Sequence, residues 1–379
     1  MIYLDYSATT PLLPEVLEAI NRTTKDFVGN CNSIHALGLK SNDLMVNATR
    51  QIANLFNINE REITYTSSST ESNNFALIGV ALANYKKGKH IIVSKLEHPS
   101  IYSICDYLKT LGFEISYVDN DSEGLIDFDH LKSLIRKDTI LVSICAVNSE
   151  LGIRQPLKMI KQIIKKENPA TLFHSDITQA VGKTGVSLKD VDLASISSHK
   201  IYGPKGIALL YKNADVKIQP ILYGSGKSNE LKPGTPALPL IVGFSKALRI
   251  AIENEEKTEK YITLLNEKIC KHLIKKEGVL INQTKYSIPH ILNVSLMNIK
   301  PETFIHALDD EEIYISTNTA CSSGEISNSV VAVYKDIERA KHTIRISLSK
   351  LTTSQEVSKF LEVFDKKYLE LNALMGDKK

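Results

Sequence analysis

Thr139-Ile140-Leu141-Val142-Ser143-Ile144-Cys145-Ala146-Val147 is the stretch whose reading decides the fold. Its apolar residues follow no two-residue alternation, and the run is far short of the ~20 residues a membrane span needs. A run of this kind suits a strand covered on both faces, as in the middle of a parallel sheet. Outward from it, short β-rich segments alternate with helical patterns between about residues 60 and 215. Strands are expected at 63–66, 90–94, 113–118, 171–174, 192–197 and 206–211, with helices over 71–85 and 102–111. Alternation of this type predicts an α/β fold: a large, mostly parallel sheet with helices on both faces.

Pro233-Gly234-Thr235-Pro236 and Pro239 then punctuate the chain. A long amphipathic helix is expected over about 240–276, leading into a smaller α+β unit. That unit has strands at 291–296 and 344–348 and helices at 303–308 and 355–371. The expected division is a large domain over 15–250 and a small one made by 1–14 together with 251–379. The sequence shows no internal repeat and no low-complexity linker.

Composition narrows the function classes. Of 379 residues, 43% are hydrophobic and 23% charged, which excludes wholesale disorder. Lysine makes up 38 of the 46 basic residues, net charge is +3, and no basic block stands out. Direct nucleic-acid binding is therefore disfavoured. The opening Met1-Ile2-Tyr3-Leu4-Asp5 has neither a basic nor an apolar targeting region, so a cytoplasmic, non-membrane protein is expected. The five cysteines, Cys31, Cys105, Cys145, Cys270 and Cys321, are odd in number, widely spaced and without a C-x-x-C. That pattern excludes a disulfide framework and a Cys-rich metal site, and leaves one or two thiols to do chemistry in a reducing compartment.

In open α/β sheets, ligands sit at the carboxyl ends of the strands. Ser67-Ser68-Ser69-Thr70-Glu71 follows the 63–66 strand and opens a helix; it fits both a capping box and a phosphate site. Asp176 ends another strand, with Gln179 three residues on. An acid at that depth is either a helix cap or is paired with a cation. Lys200, in Ser197-Ser198-His199-Lys200, is a surface lysine or, if buried among hydroxyls, a Schiff-base former. Taken together, an anion cradle, a buried acid and a strand-end lysine match what pyridoxal 5′-phosphate (PLP) asks of a protein.

With these residues in place, the chain resembles the cysteine desulfurases of the NifS/IscS type, PLP enzymes of the class V aminotransferase family (aspartate aminotransferase-like, fold type I). The matching segments include residues 3–11, Gly29-Asn30, Ser33-Ile34-His35, Thr70–Asn74, Glu97-His98-Pro99 and Val147-Asn148 with Glu150 and Gly152. Further on they include His174, Asp176, Gln179-Ala180, Ser197, 199–206, Pro233-Gly234-Thr235, Ala320-Cys321-Ser322-Ser323-Gly324 and Ile344-Arg345 with Ser347-Leu348.

The resemblance implies roles for particular residues. Lys200 would hold PLP as an internal aldimine, Asp176 would pair with the pyridinium nitrogen, Gln179 would bond the ring oxygen and His98 would stack on the ring. Ser69, Thr70, Ser197 and His199 would bind the phosphate, with Thr235 reaching across from the other subunit of a homodimer. Asn148 and Arg345 would hold the substrate carboxylate, for which only arginine offers a bidentate fork. L-cysteine would become alanine, its sulfur passing to Cys321 as a persulfide and on to an acceptor protein for iron–sulfur cluster assembly or tRNA thiolation. Cys321 precedes Arg345 by 24 residues, which favours the longer-loop group over the SufS-like one. The rival readings are a selenocysteine lyase or another class V PLP enzyme, and a degenerate PLP-binding scaffold.

The chain departs from the family pattern at several points. Ser68 and Ser198 stand at glycines, Ser149 at an asparagine and Cys31 at a proline, while Ser228, Asn229 and Lys232 replace a Glu and two Arg. If either replaced glycine needed a positive φ, serine there would cost ~1 kcal/mol or more.

Overall fold

The computed structural model describes residues 1–225, 229–317 and 326–376; Ser228 and Cys321, with its neighbours 318–325, lie outside the described residues. A two-residue strand, β1 (Ile2–Tyr3), is followed by the strands of the main sheet. These are β2 (Ile63–Thr66), β3 (His90–Ser94), β4 (Glu114–Val118), β5 (Thr139–Ser143), β6 (Leu172–Asp176), β7 (Leu193–Ser197) and β8 (Ala208–Lys212). They lie in the order β2-β8-β7-β6-β5-β3-β4, and only β8 runs against the others. The four C-terminal strands are β9 (Val279–Ile281), β10 (Ile291–Leu296), β11 (Ile313–Tyr314) and β12 (Thr343–Ser347). β12-β10-β9 form an antiparallel sheet, and β1 pairs in parallel with β11.

Both faces of the main sheet are buried, as its unalternated strands require. Ile92, Val142, Phe173 and Ile196 pack on one side against Ile52, Phe244 and Leu248. Ile91, Val93, Leu141 and Leu193 pack on the other against Phe75, Val80, Ile104 and Leu108. A separate core joins Leu292, Val294, Ile344 and Ile346 of the small sheet to Ile262, Phe360 and Phe364, and Leu4 from the start of the chain packs into it.

Two elements differ from the sequence expectation. The 139–147 run stays buried, but its strand ends at Ser143. The Glu97 carboxyl takes the N–H of Cys145 at 2.6 Å, so pairing with β3 stops there, while the N–H groups of Ile144 and Ala146 still bond to the carbonyls of His174 and Asp176 in β6. The long helix expected over 240–276 is two helices, Leu238–Glu253 and Glu255–Leu273. They meet at Asn254, whose backbone (φ −108°, ψ 5°) is not helical and whose side chain bonds back to the Ile250 carbonyl at 2.8 Å. Among the described residues no helix is long and apolar enough to cross a membrane.

Candidate active site

Every parallel strand of the main sheet ends on the same side, and residues just beyond those ends surround a cavity of about 220 Å³. Ser68, Ser69 and Thr70 follow β2, His98 follows β3, and Cys145, Val147 and Ser149 follow β5. Asp176 ends β6 with Thr178 and Gln179 close behind, and Ser197 ends β7 ahead of His199 and Lys200. Ser7, Ala8 and Arg345 complete the lining from outside the main sheet.

At the β2 end, helix Ser69–Asn84 starts with Ser68 as its cap, the hydroxyl accepting from the Glu71 N–H at 3.2 Å. Glu71 reaches back to the N–H and hydroxyl of Ser67 at 2.6 and 2.9 Å and pairs with Lys232. Burial pushes its carboxyl upward, but Lys232 and Ser67 more than offset this and the net shift is downward. Ser68 is extended (φ −161°), and Ser198 has no positive φ either. The two serines at family glycines therefore carry no backbone strain of the kind feared from the sequence.

Asp176 is buried and its two oxygens are each engaged, Oδ1 by the Thr178 N–H and Oδ2 by Asn73 Nδ2, both at 3.0 Å. Asn73 gives its second N–H to Ser100 Oγ at 3.1 Å. That hydroxyl and the Ser100 N–H both meet His98 Nδ1, at 2.9 and 3.1 Å, so a neutral His98 carries its proton on Nε2. Burial pushes the His98 imidazole below its ordinary pKa, with Asp176 opposing and Lys200 acting in the same direction as burial. Burial, aided by Lys200 and two other lysines, likewise pushes His199 down to about 4.

Lys200 Nζ donates to the carbonyls of Ser7 and Ala8 at 2.5 and 2.7 Å. Arg345, 1% exposed, donates from Nη2 to Asp5 Oδ1 at 2.9 Å and from Nη1 to the Ser149 carbonyl at 3.1 Å, while its Nε has no partner. The segment 5–8 thus holds both cations, through a carboxylate and two carbonyls.

Not every residue expected at the site is brought there. Both donors of Asn148 are engaged, by the Leu96 carbonyl and Ser329 Oγ, and its Oδ1 takes the N–H groups of Glu150 and Leu151. Its amide therefore has no donor left for a substrate, and the following residue, Ser149, lines the cavity instead. Thr235 lies in a different groove with Tyr65, Asn229 and Lys232. Cys321 falls outside the described residues. Conversely, Asn73, Ser100 and the carbonyls of Ser7 and Ala8 had no expected role. A signal for Asn73 exists: it sits three residues after Thr70, on the same face of that helix.

The donor set suits PLP. A carboxylate held by two N–H groups fits a pyridinium nitrogen, and a helix start with three hydroxyls beside His199 fits a phosphate. A lysine amine lies at the cavity wall between them. Among the described residues no cluster could hold a metal ion.

Comparison with known proteins agrees with this geometry. The aminotransferase class-V family model matches residues 2–360. The chain is 38% identical over 371 residues to cysteine desulfurase IscS of Dictyoglomus turgidum, covering 96% of this chain and 94% of that protein. It is 37% identical over 364 residues to the mitochondrial cysteine desulfurase of Saccharomyces cerevisiae, covering 94% of this chain and 72% of that one. A solved NifS-like protein superposes with a TM-score of 0.92 at 36% identity, covering 96% of this chain and 98% of its own. A structure described as SspA in complex with cysteine superposes at 0.80 with 28% identity, covering 93% of this chain and 100% of its own. The chain belongs to the class V aminotransferase family of PLP-dependent enzymes, among the cysteine desulfurases of the IscS/NifS type.

Proposed function

We propose that the protein converts L-cysteine to L-alanine and moves the sulfur to Cys321 as a persulfide, which an acceptor protein of iron–sulfur assembly or tRNA thiolation then takes. The observation that carries this reading is the convergence of Lys200, Asp176, His98 and Arg345 on one cavity at the strand ends. When bound, PLP supplies an electron sink for charge developing at the α-carbon of an amino acid. Asp176, fixed by Asn73 and the Thr178 N–H, would pair with the ring nitrogen and keep it protonated, and His98 would lie beside the ring.

Ser69, Thr70, Ser197 and His199, which line the same cavity, would take the phosphate. Lys200 would anchor the cofactor, and its amine would be the base that takes the proton from the substrate α-C–H. Arg345 receives the substrate carboxylate, its planar fork already aimed by Asp5 and the Ser149 carbonyl. Cys321, as thiolate, would attack the substrate sulfur: an S–S bond forms as the C–S bond breaks, the electron pair of the C–S bond stays on the β-carbon, and that carbon takes up a proton in place of the one the Cys321 thiol gave up, so that alanine is the product. Thr235, exposed and lining a different groove, would meet the phosphate of a second copy in a homodimer.

The test is to incubate the holoenzyme with L-cysteine and map persulfide by mass spectrometry. Persulfide on Cys321 with alanine release is expected, and Cys321→Ala should abolish persulfide while retaining bound cofactor. Sulfide at the wild-type rate from that variant would remove Cys321 from the mechanism.

A further inference from the structure

Directly after Asp176 the chain turns through residues 177–183 and places a second lysine beneath the site. Lys183 is buried, and its Nζ donates to Oε1 of Gln179. Gln179 Nε2 donates to the Ser7 carbonyl at 3.0 Å, the same carbonyl that accepts from Lys200 Nζ at 2.5 Å. One oxygen thereby ties the Gln179 amide to the amine that anchors the cofactor.

An amide can flip, exchanging its donor and acceptor ends. Here a flip would set Oε1 against the Ser7 carbonyl, a contact between two acceptors, and Nε2 against Nζ of Lys183, a contact between two donors whenever that amine is protonated. Lys183 has no other evident employment, for among the described residues it makes no ion pair. The charged groups around it, Lys200 and Arg345, are cations, and together with burial they push Lys183 down to about 7. His290, also beside it, has no partner on either ring nitrogen, and burial with the Lys183 charge pushes it down to about 3. Lys183, Lys200 and His290 share the lining of a small cavity of about 20 Å³ with Tyr6, Tyr202 and Lys350, and no carboxylate lines it.

We propose that Lys183 is a positioning residue, locking the Gln179 amide so that an N–H, and not the carbonyl, faces the ring oxygen of PLP. In pyridoxal that oxygen is ortho to the aldehyde carbon, so it lies next to Lys200 whenever Lys200 is joined to the cofactor. A donor there stabilises the oxygen anion and lowers the pH at which the cofactor's visible band titrates. The inference rests on the cofactor site proposed above.

The experiment is a spectrophotometric pH titration of the holoenzyme, independent of turnover. Lys183→Met is expected to raise the midpoint of the band by ~1 pH unit. Gln179→Leu is expected to raise it as well, and Lys183→Met on the Gln179→Leu background to add nothing. An unchanged midpoint in Lys183→Met overturns the proposal. A full additional shift on the Gln179→Leu background also overturns it, because Lys183 would then act by charge through space. If Lys183→Met does not accumulate as folded protein, Lys183→Leu is read in the same way. Borohydride reduction of the wild-type holoenzyme separates the two levels: label at Lys200 upholds the site whatever Lys183 does, and no label there overturns site and proposal together.

Discussion

Asn73 is the residue whose replacement tests the architecture of the site most directly. Its Nδ2 supplies one hydrogen to the Asp176 carboxylate at 3.0 Å and the other to Ser100 Oγ at 3.1 Å, while its buried Oδ1 has no partner. A bond to a charged acceptor contributes about 2 kcal/mol and one to a hydroxyl about 1, and removing the unpaired carbonyl returns about 1. Asn73→Ala should therefore lose about 2 kcal/mol, roughly 30-fold in the folding equilibrium.

Asn73→Asp puts a second carboxyl about 3 Å from Asp176, where both cannot ionise cheaply. One of the pair then has a folded pKa above its unfolded value near ~4. A raised acid is stabilising below that pH, and its contribution is lost as pH rises through the folded value. The Asp variant should thus fall away from wild type between about pH 4 and 7, whereas Asn73→Ala should keep a constant deficit. Urea unfolding of the cofactor-free protein at pH 5 and pH 7.5 reads both. If Asn73→Ala unfolds at the wild-type midpoint and Asn73→Asp gains no pH dependence, the amide bridge between Asp176 and the His98 support is refuted.

Other expectations follow from single contacts. Burial raises Glu97 to about 8, above its unfolded value of ~4.3, so folding stability declines as pH rises between them with a limiting slope of ~1.4 kcal/mol per unit. Glu97→Gln keeps an acceptor for the Cys145 N–H, and its urea midpoints should vary less between pH 5 and 8 than those of the wild type. Ser198 Oγ is buried without a partner, so Ser198→Ala should unfold at a temperature equal to or above the wild type, by up to about 1 kcal/mol of stability. A lower melting temperature would mean that the hydroxyl is satisfied. Arg345→Lys cannot span both Asp5 and the Ser149 carbonyl, and steady-state kinetics should show KM for L-cysteine raised at least ~10-fold.

Much of this was legible in the sequence because the sheet is buried on both sides. An apolar run such as 139–147 has few alternatives, and a polar residue directly after it stands out, as Asp176 and Lys200 do. What could not be read was set by partners far along the chain. Glu97 takes the place of β3 beside Cys145 by accepting a backbone N–H 48 residues away, and no local pattern encodes that bond. The break at Asn254 lies inside a pattern whose apolar spacing continues on both sides, so periodicity alone runs through it. Ser68 reads as a costly replacement only while its φ is unknown; in the fold it is a helix cap on extended backbone. Asn148 matched its family position by sequence, yet its amide is occupied by its own turn and by Ser329.

The hold of residues 5–8 on Lys200 and Arg345 also sets the order in which the site can be assembled. Asp5 and Arg345 are 340 positions apart, and Lys200 is joined to Ser7 across 193. During synthesis the main sheet can be complete, with Lys200 and Asp176 in place, while Arg345 has yet to be made. Residues 2 and 3 meanwhile have no β11 to pair with. The chamber closes only when the last strand, β12, arrives and draws the opening segment in beside it through Ser7 and Ser347. Contacts of such long range are slow to form. Recognition of a substrate through Arg345 therefore belongs only to a finished chain, although the strands that carry Lys200 and Asp176 are made long before it.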